Sequence, residues 1–175
     1  MDGSRHLRRP ATATLLQRCA FFLVPALLTA GCASFESISP GTPAQQVQAR
    51  VGAPTDIWKS PDGSEVWEYP RGPLGTETYM ITFGPDREVR SVRQVLTDQN
   101  ISKLKAGMSR DEVRRMLGKP GSIKVTESLN EETWWWRYRE WQTRTMELYV
   151  QFDWPAGALT KVTRFQIDTS DGKRQ

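Results

Sequence analysis

Apolar and polar residues alternate along two stretches of the chain. Tyr79, Ile81 and Phe83 fall on one side of the first, and Leu148, Val150 and Phe152 on one side of the second. That is the period of strands with one buried face. A third run, Trp134-Trp-Trp-Arg-Tyr-Arg-Glu-Trp141, puts Trp134, Trp136 and Tyr138 on one face and Trp135, Arg137, Arg139 and Trp141 on the other. Helical spacing stands out elsewhere. Val113, Met116 and Leu117 form an i, i+3, i+4 stripe, and Val47 and Val51 an i, i+4 pair, each the mark of a core-facing helix.

Punctuation residues sharpen these elements. Ser109-x-x-Glu112 is a capping box, in which the serine oxygen accepts an end N–H and the glutamate reaches back to the cap. Gly118 supplies the stop and Pro120 prevents continuation. In the earlier helix Pro43 stands where Ser109 stands. Thr42 is expected to cap it, with Gln45 completing the box, Pro43 at the first helical position and Gly52 at the stop. A further helix is expected to start near Thr97-Asp98 and to carry Ile101 and Leu104. Strands are predicted near 66–69, 78–83 and 89–95, and again near 133–141, 145–152 and 160–167. Pro61-Asp-Gly63, Gly84-Pro-Asp86 and Pro155-Ala-Gly157 mark the turns.

The pattern repeats. Gly41-Thr-Pro-Ala-Gln-Gln-Val47 with Val51-Gly52-Ala53-Pro54 returns 66 positions on as Gly107-Met-Ser-Arg-Asp-Glu-Val113 with Leu117-Gly118-Lys119-Pro120. Trp67-Glu-Tyr69 is matched with Trp136-Arg-Tyr138, and Phe83 with Phe152, each 69 positions on. A fixed internal period sets the architecture. It predicts an α+β fold of two copies, each helix–helix–three antiparallel strands, with helices on one face of the sheet. Phe35 and Ile38 lie 66 positions before Ile101 and Leu104 and read as the remnant of a leading helix in the first copy.

The first residues change the balance of charge. Arg5, Arg8, Arg9 and Arg18 precede a short apolar run, Cys19-Ala-Phe-Phe-Leu-Val-Pro-Ala-Leu-Leu-Thr-Ala30, the layout of a secretory signal. The run falls short of the ~20 residues that a membrane helix needs. If 1–31 are removed, four Arg and one Asp leave with them, and the formal net charge of +4 drops to about +1. Nothing in the remainder forms an electrostatic footprint for nucleic acid. Cys19 and His6, the only His, leave as well. The expected organisation is a signal at 1–31, a tether at 32–40, modules at 41–95 and 96–168, and a flexible tail at 169–175.

Leu28-Thr29-Ala30-Gly31-Cys32 resembles a bacterial lipobox. The resemblance implies cleavage between Gly31 and Cys32 and lipidation of Cys32, and several acyl chains would anchor a domain stably. A plain signal peptide with a free Cys32 is the alternative. Ala33 after the Cys resembles the outer-membrane sorting pattern. Farther on, Gly107-Met-Ser-x-x-Glu-Val113, Leu117-Gly118-x-Pro120, Trp136-x-Tyr138 and Val150-x-Phe152 resemble the BamE (SmpA/OmlA) domain, throughout 96–165 and more loosely over 41–93. That resemblance implies an outer-membrane lipoprotein facing the periplasm, with two helices on a three-stranded antiparallel sheet. BamE is an accessory of the β-barrel assembly machinery, which makes that machinery an expected partner. The doubled module is also similar to the β-lactamase inhibitor protein, so an inhibitor or binding module for another envelope protein is the second reading.

Catalytic chemistry finds few candidates. Without a His or a spare thiol after residue 32, Ser-His and Cys-His catalysis and His-based metal sites are excluded. Among carboxylates, Glu112 is committed to a cap, and Glu131-Glu132 is placed in a hairpin loop. The expectation is a non-enzyme with no cofactor, no metal and no small-molecule substrate. Trp135, Arg137, Arg139 and Trp141 are the candidate partner-binding surface, because Trp and Arg are enriched at binding hot spots. The alternative is that this face packs against the first module or stacks as cation–π pairs internally.

Overall fold

The computed structural model describes residues 35–71, 75–141 and 143–167. The signal, Gly31, Cys32 and the tail at 169–175 lie outside the described residues.

In the first half, helix α1 (Ala44–Val51) is followed by strands β1 (Asp56–Lys59), β2 (Glu65–Pro70), β3 (Thr78–Phe83) and β4 (Val89–Gln94). In the second, helices α2 (Asp98–Ile101) and α3 (Arg110–Leu117) precede β5 (Ser122–Thr126), β6 (Glu131–Glu140), β7 (Arg144–Asp153) and β8 (Leu159–Gln166). Each half forms a four-stranded antiparallel meander, β1-β2-β3-β4 and β5-β6-β7-β8. The sequence predicts three strands per sheet, and the structure has four. The added strands, β1 and β5, are edges. Ile123 and Val125 of β5 are 54% and 39% exposed, so backbone pairing to β6 holds this strand with little help from burial.

Each half has its own core. Phe35, Ile38, Val47, Trp67, Tyr69, Ile81, Phe83 and Val89 fill the first. Val113, Leu117, Trp134, Trp136, Tyr138, Leu148, Val150 and Phe152 fill the second, with Leu96 and Ile101. Phe35 and Ile38, which the sequence places in the tether, are therefore core residues. Phe35 sits in a single 3-10 turn, Phe35–Ser37, and its ring stacks on Tyr79 at 4.4 Å.

The capping box of α3 forms as expected, with Ser109 N donating to Glu112 Oε2 at 2.8 Å and Glu112 N to Ser109 Oγ at 3.3 Å. The predicted Thr42-Gln45 box does not form. Pro43 is the N-cap of α1, with no side-chain cap, and Thr42 Oγ1 donates to Ser39 O. The sheet takes over the capping role. Ala44 N donates to Arg87 O at 2.9 Å, and Gly41 and Thr42 pair with Val89. The second half repeats this clamp, with Gly107 and Met108 paired to Leu159. Both helices stop at a glycine with positive φ, Gly52 (φ 85) and Gly118 (φ 84), where a side chain would be strained.

Strand register corrects one pairing within the repeat. Glu65 faces Phe83 and Trp67 faces Ile81. Glu132 faces Phe152 and Trp134 faces Val150. Trp67 thus corresponds to Trp134, and Tyr69 to Trp136. Hydrogen bonds agree: the indole N–H of Trp67 donates to Glu65 and that of Trp134 to Glu132. The Tyr69 hydroxyl donates to Gly52 O and the Trp136 indole to Gly118 O, both at 3.2 Å. The sequence match is out by two residues. A two-residue slip keeps every side chain on its face, so alternation cannot detect it.

Candidate functional site

Each sheet has an inner face toward its own helix and an outer face, and the two outer faces have different fates. On the first sheet Glu68, Thr78 and Met80 alternate with the core residues yet are 0%, 2% and 2% exposed. The end of α3 packs there. Arg114 pairs with Glu68 and, at 3.2 Å, with Asp56, and its guanidinium lies 5.4 Å from the Trp58 ring. Lys119 N donates to Glu68 Oε1 at 2.5 Å. Sequence reasoning missed this junction, and only the charge at Glu68 between two core aromatics hints at it. Of the alternatives for the aromatic surface, packing against the first module is thereby reversed. The face that packs against the other half belongs to the first sheet.

The outer face of the second sheet stays open. Trp135 on β6 is half-buried and faces Tyr149 on β7, and Arg137 faces Glu147. The Arg137 guanidinium lies 5.8 Å from the Trp135 ring, within cation–π range. The Tyr149 hydroxyl donates to Glu147 Oε2 at 2.8 Å. That bond to a carboxylate, with burial second, pushes the Tyr149 phenol above its ordinary range. Phe165 on β8 meets Tyr149 edge-on at 5.7 Å and is 55% exposed. Between β5 and β7 the face dips into an open hollow of about 590 Å³ whose lining includes Ser122, Thr133, Trp135, Glu147 and Tyr149.

The four predicted surface residues do not form one patch. Trp135 and Arg137 share the open face. β6 ends at Glu140, so the alternation does not reach Trp141. That residue sits in the hairpin turn with φ 50, its N–H donating to Asp98 Oδ2 at 3.2 Å. It is 74% exposed. Arg139 and Trp141 line a separate hollow of about 250 Å³ beside α2, with Leu96, Thr97 and Gln99. Tyr149 and Phe165 were not predicted, although the alternation Glu147, Tyr149, Gln151 opposite the core residues of β7 signals the former. Among the described residues no three His, Cys, Asp or Glu side chains gather in a way that could hold a metal ion. Glu132, placed in a loop by the sequence, is on β6 and 5% exposed. It is held by Arg110 at 2.6 Å and the Trp134 indole at 2.6 Å.

Residues 94–154 match the family model of the outer membrane protein assembly factor BamE domain. The matched stretch runs from α2 through β7. No curated protein matches the chain. Among solved structures, the chain is similar to a candidate β-lactamase inhibitor protein from Streptococcus mutans. It is 19% identical over 73% of this chain and 84% of that one, with a TM-score of 0.28. It is also similar to an extracellular protein with a SCP domain from Bacillus anthracis, 12% identical over 96% of this chain and 50% of that one, with a TM-score of 0.28.

Proposed function

We propose that this chain is an outer-membrane-anchored periplasmic lipoprotein of two BamE-like modules that acts by binding, in outer-membrane protein assembly or envelope integrity. The match of residues 94–154 to the BamE domain carries this reading. The first half supports a diverged second module through its identical sheet order, its helix clamp to the last strand and its glycine stop. The anchor reading rests on Leu28-Thr-Ala-Gly-Cys32. The contact surface is the open face around Trp135 and Arg137, with Arg139 and Trp141 as a second patch at the hairpin tip.

A photo-crosslinking amino acid at position 135 or 141 in intact cells tests the binding role. Crosslinks to barrel-assembly components are expected. A single unrelated envelope protein in their place would favour the inhibitor-type reading, and no crosslink at either position would sink the surface. Cys32→Ser is expected to release the protein into the soluble periplasmic fraction. Retention at the membrane with unchanged processing would overturn the anchor.

A further inference from the structure

Both halves point the same way. In the first, α1 starts beside the β3–β4 turn, where Ala44 N donates to Arg87 O, and ends beside the β2–β3 hairpin, where the Tyr69 hydroxyl donates to Gly52 O. In the second, α3 starts at Arg110, paired with Glu132 near the beginning of β6, and ends at Gly118, held by the Trp136 indole farther along that strand toward the β6–β7 hairpin. Across the first sheet α3 runs from Trp58, against Arg114, to Thr78, against Gly118. Trp58 faces Val66 and Thr78 faces Pro70, so α3 also ends beside the β2–β3 hairpin. A direct link joins the two hairpins. Val95 N donates to Thr78 O, and Asp98, three residues on, accepts the Trp141 N–H in the turn of the β6–β7 hairpin. Both hairpins and α2 therefore share one end of the molecule.

The chain enters the fold at that same end. Phe35 is buried against Tyr69 and Tyr79, which face each other next to the β2–β3 hairpin, and the Arg71 guanidinium lies 5.4 Å from its ring. Only Ala33 and Ser34 separate Phe35 from Cys32. Three steps of fully extended chain reach roughly 11 Å at most. A lipid on Cys32 would therefore hold this end close to the headgroups and leave the body little room to turn over. The exposed side chains here suit that setting. Trp141 is 74% exposed at φ 50, so burial within the fold does little to offset its backbone. An indole has an apolar body and a polar N–H, the combination that favours the boundary between acyl chains and water. The Arg71 and Arg144 side chains are 49% and 52% exposed, whereas the carboxylates they pair with, Glu77 and Glu140, are 32% and 15% exposed. The arginines reach outward beyond their partners, toward where headgroup phosphate oxygens would lie. Glu36 adds an exposed carboxylate.

We propose that the end of the molecule carrying Phe35, Arg71 and Trp141 lies on the lipid surface, with the Trp141 indole in the headgroup layer and the strands rising away from it. The proposal rests on the reading of Cys32 as the anchor, and it names lipid as the occupant of the patch at the hairpin tip. The open face around Trp135 then stands upright, clear of the lipid and within reach of a protein partner.

The test uses the full chain, purified from membranes in its lipidated form and reconstituted in vesicles of phosphatidylethanolamine and phosphatidylglycerol. Once 1–31 are removed the only cysteine left is Cys32. Gln99→Cys then introduces a single free thiol for a fluorophore, on α2 beside Trp141. Lipids brominated near the headgroup are expected to quench this probe. A probe at Ala156→Cys, in the β7–β8 turn at the opposite end, is expected to be untouched. Both positions are exposed. Adding Trp141→Asn to the Gln99→Cys protein is expected to lower the quenching while the protein still floats with the vesicles. An unquenched Gln99→Cys probe, equal quenching at the two positions, or quenching indifferent to Trp141→Asn overturns the proposal and, where the protein floats, leaves the anchor reading intact. Failure to float removes both.

Discussion

Arg114 of α3 pairs with Glu68 of β2 across the junction of the two halves, and Glu68 has no exposed surface. Its other oxygen accepts the Lys119 N–H, so the carboxylate is both neutralised and hydrogen-bonded. Breaking such a pair from one side leaves a buried charge, at a cost of about 3–5 kcal/mol. Arg114→Met is expected to destabilise the protein by that order. Arg114→Met with Glu68→Gln removes both charges and should recover most of the loss. Urea unfolding of the three proteins checks this through the midpoint at constant slope. A double variant as unstable as the single one would show that the junction is held by packing alone.

Gly118 and Gly52 separate backbone strain from close packing. Both have φ near 85, but only at Gly118 would a Cβ collide, with Thr78. Gly52→Ala should cost the conformational term, about 1–3 kcal/mol. Gly118→Ala should cost the same plus a further ~1–3 kcal/mol for overpacking. Thr78→Ser removes the methyl in the way and should narrow the gap. Equal losses at the two glycines would show that the halves do not approach closely at Gly118.

Alkaline pH should weaken the fold through its tyrosines. Burial pushes the Tyr69 hydroxyl up to about 12, and burial also raises Tyr79 and Tyr138. Above pH ~10 the unfolded chain gives up phenolic protons that the native chain still holds. The native state then binds more protons, so stability falls as pH rises. The Tyr69 contribution is complete below pH ~10 and is lost as pH approaches 12. Tyr69→Phe should lower stability at neutral pH, because Gly52 O loses its donor, and should flatten the decline between pH 10 and 12. Denaturant midpoints across that range, with phenolate absorbance alongside, provide the check.

Much of the architecture is legible in the sequence because the signals are local. Ser109, Glu112, Gly118 and Pro120 act within one helix, and the faces of β6 and β7 follow from alternation. What is missed depends on distant partners. The edge strands β1 and β5 are short and form by pairing with β2 and β6. Pro43 is the N-cap because the Arg87 carbonyl, in the turn between β3 and β4, satisfies the amide that follows it. The correspondence of Trp67 with Trp134 depends on cross-strand register. For the surface, alternation places Trp135 and Arg137 on the open face but cannot tell which sheet would be covered. Trp141 is misplaced because β6 turns one residue before it.

Trp141 holds a left-handed backbone, φ 50, that an L side chain adopts at a cost of roughly 1–2 kcal/mol, while its ring is 74% exposed. Little burial offsets that cost, although the Asp98 carboxylate fixes its N–H. Asparagine tolerates this conformation and keeps the N–H. Trp141→Asn is therefore expected to stabilise the fold by about 1 kcal/mol in urea titrations, while reducing crosslinking from the hollow beside α2 in cells, read from a probe at Gln99. A stability gain with crosslinking unchanged would mean that the indole has no role in contact. A loss of stability would mean that the ring packs on α2 more firmly than its exposure allows.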